Sequence, residues 1–255
     1  MQPTVTLIAG TWFAPPRRGL PWEHWETDAT NPADAVAEFA GRLCYQSWDR
    51  PNPSTRSNRD YLRNILEQEH FSVLEHSGFT VAITGVSRSF SHELVRHRHL
   101  SFSQLSQRFV DEASAGFVVP PLFRDDPEAT AVLREFHEAC LDTYRRLLEI
   151  AEQKLAEQSG LSRTARRKRA REAARCVLPN MTETQIVVTG NHRAWREFLL
   201  KRASPHADAE MREVAMRIFE IARSIAPGIY QDLRVREDGQ GIERVRRPAR
   251  EEVRV

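Results

Sequence analysis

The stretch Arg96-His97-Arg98-His99-Leu100-Ser101-Phe102-Ser103-Gln104-Leu105-Ser106-Gln107-Arg108 decides how this chain is read. Its thirteen residues hold three arginines, two histidines, three serines, two glutamines and no acid. The nearest carboxylate before it is Glu93. Cations this dense repel one another unless water or an anion separates them. Arginine forks match phosphate oxygens bidentately, and serine hydroxyls and glutamine amides add shorter-range contacts. The mixture suits a phosphorylated ligand with a polar ring. An arbitrary Arg/His run is more often a solvated basic loop. Here Leu94, Val95, Leu100, Phe102, Leu105 and Phe109 are interleaved with the polar groups and predict partial burial. The stretch also lacks Lys, Gly and Pro. Buried polar groups need partners, and a ligand can be one.

A chain of 255 residues buries a substantial core, as one large domain or two. Its 37 basic and 35 acidic residues nearly balance, so net charge implies no polyanionic partner. Cys44, Cys140 and Cys176 lie far apart without a Cys-x-x-Cys, which suggests reduced thiols and a cytoplasmic protein. No apolar run approaches the ~18 residues needed to span a bilayer, so no membrane association is expected. There is no secretory signal pattern at the N-terminus. No internal repeat is evident.

Periodicity and punctuation predict the elements. Val5 to Ala9 reads as a first strand, followed by a Pro- and Trp-rich loop. Asn31-Pro32 starts a helix through Val36, Phe39 and Ala40, ending near Cys44. A second helix carries Tyr61, Leu62, Ile65 and Leu66 on one face. Phe79, Val81 and Ile83 alternate with polar or small residues, a half-buried strand. Ser87 then caps a short helix on which His92 and Arg96 share a face. Residues 128–158 are a long helix whose Val132, Phe136, Cys140, Tyr144, Leu147 and Leu148 read as core scaffold. Gly160 ends it. Residues 163–175 form a basic helix, with Arg175 beside an apolar end and so less exposed than the rest. Gln185 to Thr189 is a strand, Gly190-Asn191 a turn, and Ala194 to Arg202 a helix. A last helix carries Val214, Met216, Ile218, Ile221 and Ala222. The expected organisation is one domain over 1–233 and a charged, weakly ordered tail over 234–255.

Arg-His-Arg, two residues, Ser, four residues, Ser, one residue, Arg is complete from Arg96 through Ser101 and Ser106 to Arg108. It resembles the signature of the flavin-dependent thymidylate synthases. Ser103 and Phe109 stand where some members carry Asn and Tyr. The resemblance implies an α/β fold with a mixed or antiparallel sheet flanked by helices. It implies a methyltransferase that converts dUMP to dTMP. Methylenetetrahydrofolate is the one-carbon donor, reduced FAD the hydride donor, and NADPH the reductant of the flavin. It further implies a homotetramer with active sites at subunit interfaces.

The resemblance also assigns positions. Glu93, Arg96, Gln104, Leu105, Ser106, Gln107, Arg108, Arg175 and Arg202 match nucleotide-binding positions. His70, Ser72, Glu75, Arg96, His97, Arg98, Gln104, Asn191, His192, Arg193 and Glu197 match FAD-binding positions. Arg202 matches the catalytic position. Uracil carbon 5 must act as a nucleophile, and loss of the N3 proton makes the ring electron-rich. An arginine does not take that proton at neutral pH, but it stabilises the negative charge. Glu197 departs from the Asn or His often found there, and its spacing suggests a pair with Arg193.

Other readings are weaker. Ser106 as a covalent nucleophile would need His97 or His99 as base, whereas a carbon nucleophile activated by deprotonation needs none. No cysteine has the Pro-Cys-His context of the cysteine-dependent thymidylate synthases. His92, His97 and His99 lack the spacing and the additional ligands of a zinc site, so no metal is expected. The rivals are a flavin- and folate-dependent methylase acting on uridine in RNA and a nucleic-acid-binding module using the 163–175 helix. A solvated basic face is favoured over the latter, so a nucleic-acid partner is not expected.

Overall fold

The computed structural model describes residues 2–14, 20, 22–49, 52–158 and 160–245. The chain is an α/β protein with antiparallel strand pairing, as expected. Its elements are β1 (Thr4–Gly10), α1 (Pro32–Tyr45), α2 (Asn58–Glu67), β2 (Gly78–Ser87), α3 (Arg88–Leu94), β3 (Ser101–Gln104) and α4 (Pro127–Ala156). Then follow α5 (Arg163–Ala174), β4 (Glu183–Asn191), α6 (His192–Arg202), α7 (Ala209–Ile225), β5 (Leu233–Val235) and β6 (Ile242–Arg244). One sheet has the order β1-β2-β4-β3, and β5 pairs antiparallel with β6.

The chain forms two compact units. The first comprises Met1–Thr6, Ala82–Arg98 and Phe102–Val188. In it α4 packs along α5. Asp126 caps α4 by accepting from the Ala129 N–H at 3.0 Å, and Pro127 occupies the first turn. The expected core stripe of α4 is only partly buried. Tyr144 is fully buried, but Val132 and Phe136 are 62% and 55% exposed. The buried stripe of this helix runs through His137, Leu141 and Tyr144 instead. His137 Nε2 lies 2.8 Å from the Ala115 carbonyl, which turns that face inward.

The second unit comprises Leu7–Val81, His99–Ser101 and Thr189–Val255. Its core contains Tyr61, Leu62, Ile65 and Leu66 of α2, as the periodicity predicts, with Trp195, Phe198 and Leu199 of α6 and Val214, Ile218 and Phe219 of α7. Charge is buried here too. The Glu38 carboxylate accepts from Arg42 Nε at 2.6 Å, Thr27 Oγ1 at 2.6 Å and Asn58 Nδ2 at 2.9 Å. Arg42 donates further to the carbonyls of Ser47, Thr55 and Arg56, and its guanidinium lies 4.4 Å from the Tyr61 ring centroid. Gly41 permits this packing, since a Cβ there would meet Tyr61 Oη at 2.4 Å. Asn31 is the N-cap residue of α1 but makes no side-chain cap bond.

Two expectations change. Gly190-Asn191 is the end of β4, not a turn, and Asn191 caps α6 through the Ala194 N–H at 2.8 Å. The chain passes from strand to helix without a loop. The tail expected from residue 234 is ordered as far as it is described. β5 and β6 form a hairpin, Ile242 is buried, and its N–H donates to the Ala203 carbonyl at 2.7 Å. Residues 246–255 of that tail lie outside the described residues.

Replacing Arg42 with Met leaves Glu38 buried without its counter-charge. R42M is expected to lower unfolding stability by about 3–5 kcal/mol, read from urea melts. A loss below ~1 kcal/mol would remove the pair from its structural role.

Candidate active site

In the first unit, Ser87 ends β2 and caps α3 by accepting from the Phe90 N–H at 3.0 Å. Helix α3 stops at Leu94, which is fully buried. The Arg96 and His97 N–H groups then donate to the carbonyls of Glu93 and Leu94. Arg96-His97-Arg98 is therefore a turn past the helix, and Arg96 does not share a helical face with His92 as expected. The Arg96 and Arg98 side chains are exposed, while His97 and Glu93 are half-buried.

Strand β3 carries the next candidates. Gln104 Nε2 donates to Ser91 Oγ at 2.7 Å and Thr184 Oγ1 at 3.3 Å, which leaves its carbonyl oxygen for other partners. The Leu105 N–H donates to the Gln185 carbonyl, and the Leu105 carbonyl accepts from Arg88 Nη2 at 2.9 Å. The chain then turns tightly. The N–H groups of Phe109 and Val110 both reach the Ser106 carbonyl, and the Arg108 N–H reaches Ser106 Oγ at 3.4 Å. Ser106, Gln107 and Arg108 are half-buried on this turn. Arg108 Nη2 pairs with Glu172 of α5 at 2.6 Å. Arg175 begins the short turn Arg175–Val177 and is exposed, contrary to expectation, because that turn lies at the surface.

Nothing in the pattern pointed to Arg88, Ser91 and Thr184, which hold Gln104 and Leu105. Arg88 lies 3.8 Å from the buried Glu112 carboxylate. Burial lowers the Arg88 pKa, opposed by the Glu112 charge, and burial raises that of Glu112. Their polar type alone gave no signal of this role.

In the second unit, His70, Ser72 and Glu75 lie on or next to the turn Phe71–Glu75, and all are exposed. His70 Nδ1 lies 3.1 Å from Tyr45 Oη. Arg193 Nη1 donates to Glu75 Oε1 at 2.5 Å, joining α6 to that turn. Glu197 accepts from Lys201 one turn forward, and Arg193 pairs with Glu75. Arg202 is half-exposed at the end of α6. The bond from Ile242 to the Ala203 carbonyl fixes that end, and Gly241 allows the close approach, its absent Cβ falling 2.3 Å from the same oxygen.

His192 lies in the core. Its residue is fully buried, its N–H donates to the Ser77 carbonyl, and its Nδ1 lies 3.0 Å from Tyr230 Oη. As the first residue of α6 it points inward, beside the Phe79 ring. Burial pushes its pKa down to about 3, with the Arg196 charge adding. Asn191 likewise spends its side-chain oxygen on the helix cap.

Among the described residues, no helix is long and apolar enough to cross a membrane, and no group of three or more His, Cys, Asp or Glu side chains is placed to hold a metal. The three cysteines are free.

The fold and these surfaces define an α/β protein whose strand-to-helix junctions display cations, amides and hydroxyls. The chain matches the family model described as thymidylate synthase complementing protein over residues 27–228. Flavin-dependent thymidylate synthase of Mycolicibacterium gilvum is 49% identical over 249 residues, 98% of this chain and 97% of that protein. The proteins of the same name from Mycobacteroides abscessus and Mycobacterium tuberculosis are each 50% identical over 239 residues, 94% of this chain and 93% of theirs. The chain belongs to the thymidylate synthase complementing protein family.

His192 supplies a pH test. Its folded pKa of about 3 lies below the ordinary 6.5. As pH falls through 6.5 the unfolded chain takes up a proton that the folded chain refuses. The stability from the neutral buried ring is present above that value and is lost as pH falls toward 3. Between about pH 6 and 4, wild type is expected to lose up to about 1.4 kcal/mol per pH unit from this group. His192→Gln, with no ring to titrate, should give a flatter dependence in parallel urea melts. Equal slopes would show that the native ring takes up its proton over the same pH range as the ring in the unfolded chain.

Proposed function

We propose that the chain is a flavin-dependent thymidylate synthase that converts dUMP to dTMP, with methylenetetrahydrofolate giving the carbon and tetrahydrofolate released. A bound flavin, taken here as FAD re-reduced by NADPH, supplies the hydride. The observation that carries this reading is 49–50% identity to proteins of that name over nearly the whole chain. The complete Arg96–Arg108 signature adds to it.

The residues support a division of labour. Ser106, Gln107, Arg108 and the free carbonyl of Gln104 offer donors and acceptors to a nucleotide, with Arg108 on the phosphate and Leu105 contributing backbone. Glu93 accepts a hydrogen bond from the nucleotide, and Arg175 adds charge. Arg202 stabilises the negative charge that builds on the uracil ring. An arginine acts in such a step by position and charge, not as a base.

The exposed Arg96 and Arg98 fit the two phosphates of FAD, as paired arginines fit phosphate oxygens. His97, His70, Ser72, Glu75, Arg193 and Glu197 are further polar side chains that the resemblance assigns to FAD, with Glu75 paired to Arg193 and Glu197 to Lys201. The exposed Val132 and Phe136 of α4 suit a second copy of the chain. They favour the homotetramer with active sites at subunit interfaces that the resemblance implies. The reduced thiols fit a cytoplasmic protein.

Purified protein should be yellow or take up FAD, and should oxidise NADPH faster when dUMP is present. Arg108→Gln should raise the dUMP KM about 10- to 100-fold, the range for one charged hydrogen bond. Arg202→Gln should lower kcat by about 10²–10³. A colourless protein that binds no FAD would overturn the proposal. Turnover of uridine in RNA in preference to free dUMP would replace the substrate.

A further inference from the structure

Tyr45 and His70 form a contact with no counterpart in the roles above. Tyr45 is the last residue of α1 and is 61% exposed. Its Oη lies 3.1 Å from His70 Nδ1, and the two rings are within 23° of parallel with centroids 6.2 Å apart. An exposed pair of this kind ordinarily swings freely. Here the backbone around both residues is held.

Gln46 and Glu69 have φ of 49° and 57°, the two non-glycine residues with positive φ among the described residues. One follows Tyr45 and the other precedes His70, each in the left-handed position that ends a helix. That conformation costs a non-glycine residue about 1–2 kcal/mol, so each needs support. The Gln46 side chain donates to the Leu43 carbonyl at 2.8 Å. Glu69 pairs with Arg244 at 2.7 Å, and Arg244 also donates to the Leu66 carbonyl at 2.6 Å. On the other side of His70, the Phe71 ring faces two guanidiniums, Arg196 at 5.7 Å and Arg244 at 5.5 Å. The His70 N–H itself donates to the Ile65 carbonyl at 3.0 Å. With its neighbours so anchored, His70 keeps two freedoms: its ring orientation and its tautomer.

Both are addressed by one atom. A phenol donates readily to an imidazole nitrogen. If Tyr45 donates to Nδ1, the neutral ring carries its proton on Nε2, and which nitrogen is protonated follows from the bond the other makes. We infer that Tyr45 is a positioning residue: it fixes His70 as the Nε2–H tautomer and sets its ring plane, presenting a single donor to an acceptor on a flat heteroaromatic ligand. The identity of that ligand as the flavin rests on the proposed function. The tautomer does not.

Tyr45→Phe keeps the ring and removes the donor. Two-bond ¹⁵N–¹H spectra at about pH 8, above the ordinary imidazole range, should show His70 as Nε2–H in wild type and as mixed tautomers in Y45F. The FAD dissociation constant, read by flavin fluorescence, should rise about 2- to 10-fold. The melting temperature should move by no more than about 2 °C, as for an exposed substitution. In a His70→Ala background, Y45F should have no further effect on FAD binding. Three results would each overturn the inference: Nδ1–H in wild type, unchanged tautomers in Y45F, or an equal loss of FAD affinity without His70. Failure of wild type to take up FAD overturns the flavin reading, and the tautomer spectrum alone then decides whether Tyr45 sets the ring.

Discussion

A buried guanidinium cannot shed its charge, so every donor it carries must find an oxygen. Unit two is organised by two such groups. Arg42, 1% exposed, gathers Glu38 and the carbonyls of Ser47, Thr55 and Arg56. It thereby ties α1 to the loop that leads into α2. Arg196 binds both oxygens of Asp232 and the Ile229 carbonyl. It ties α6 to the segment after α7. Asp232 also accepts from Arg244 at 3.1 Å, and Arg244 reaches Glu69. The requirement to satisfy these donors thus runs from the core of α6 through the C-terminal hairpin to the backbone beside His70.

The same side chain serves opposite ends according to burial. Arg42 and Arg196 are buried and paired, and their work is structural. Arg96 and Arg98 stand exposed on a turn, where a phosphorylated ligand can satisfy them. Half-buried Arg108 and exposed Arg193 are each held by one exposed acid, Glu172 and Glu75. Such pairs are weak in water and exchange readily for a better anion, so they orient a guanidinium without committing it.

Periodicity made the secondary structure legible wherever one face is buried and the other is not. Phe79, Val81 and Ile83 of β2 and Tyr61, Leu62, Ile65 and Leu66 of α2 are buried as their spacing predicts. It failed where burial depends on partners distant in sequence. Val132 and Phe136 have the right spacing for a core, yet the buried stripe of α4 runs elsewhere. The hairpin at 233–244 has no apolar period because its buried apolar residues, Leu233 and Ile242, are one to each short strand. The signature from Arg96 to Arg108 was legible because its residue types and spacings are unusual together. The fate of His192 was not, since its neighbours in the core, Phe79 and Tyr230, are remote in sequence.

The two strand-to-helix junctions share a local sequence spacing. Ser87 and Asn191 each end a strand and cap the helix that follows at once. Six residues beyond each cap stands a glutamate, Glu93 and Glu197, and eleven beyond stands an arginine, Arg98 and Arg202. The shared spacing does not give shared geometry. Helix α6 continues to Arg202 because Trp195, Phe198 and Leu199 bury one face along its length. Arg202 is thus directed by a helix C-terminus, where a cation is favoured by the carbonyl dipoles. Helix α3 stops at Leu94, so Arg98 falls on a turn and is directed by local backbone bonds instead. One local pattern thereby yields an arginine in the last turn of a helix and another on the turn that follows one, because only one of the two helices has an apolar face long enough to carry it that far.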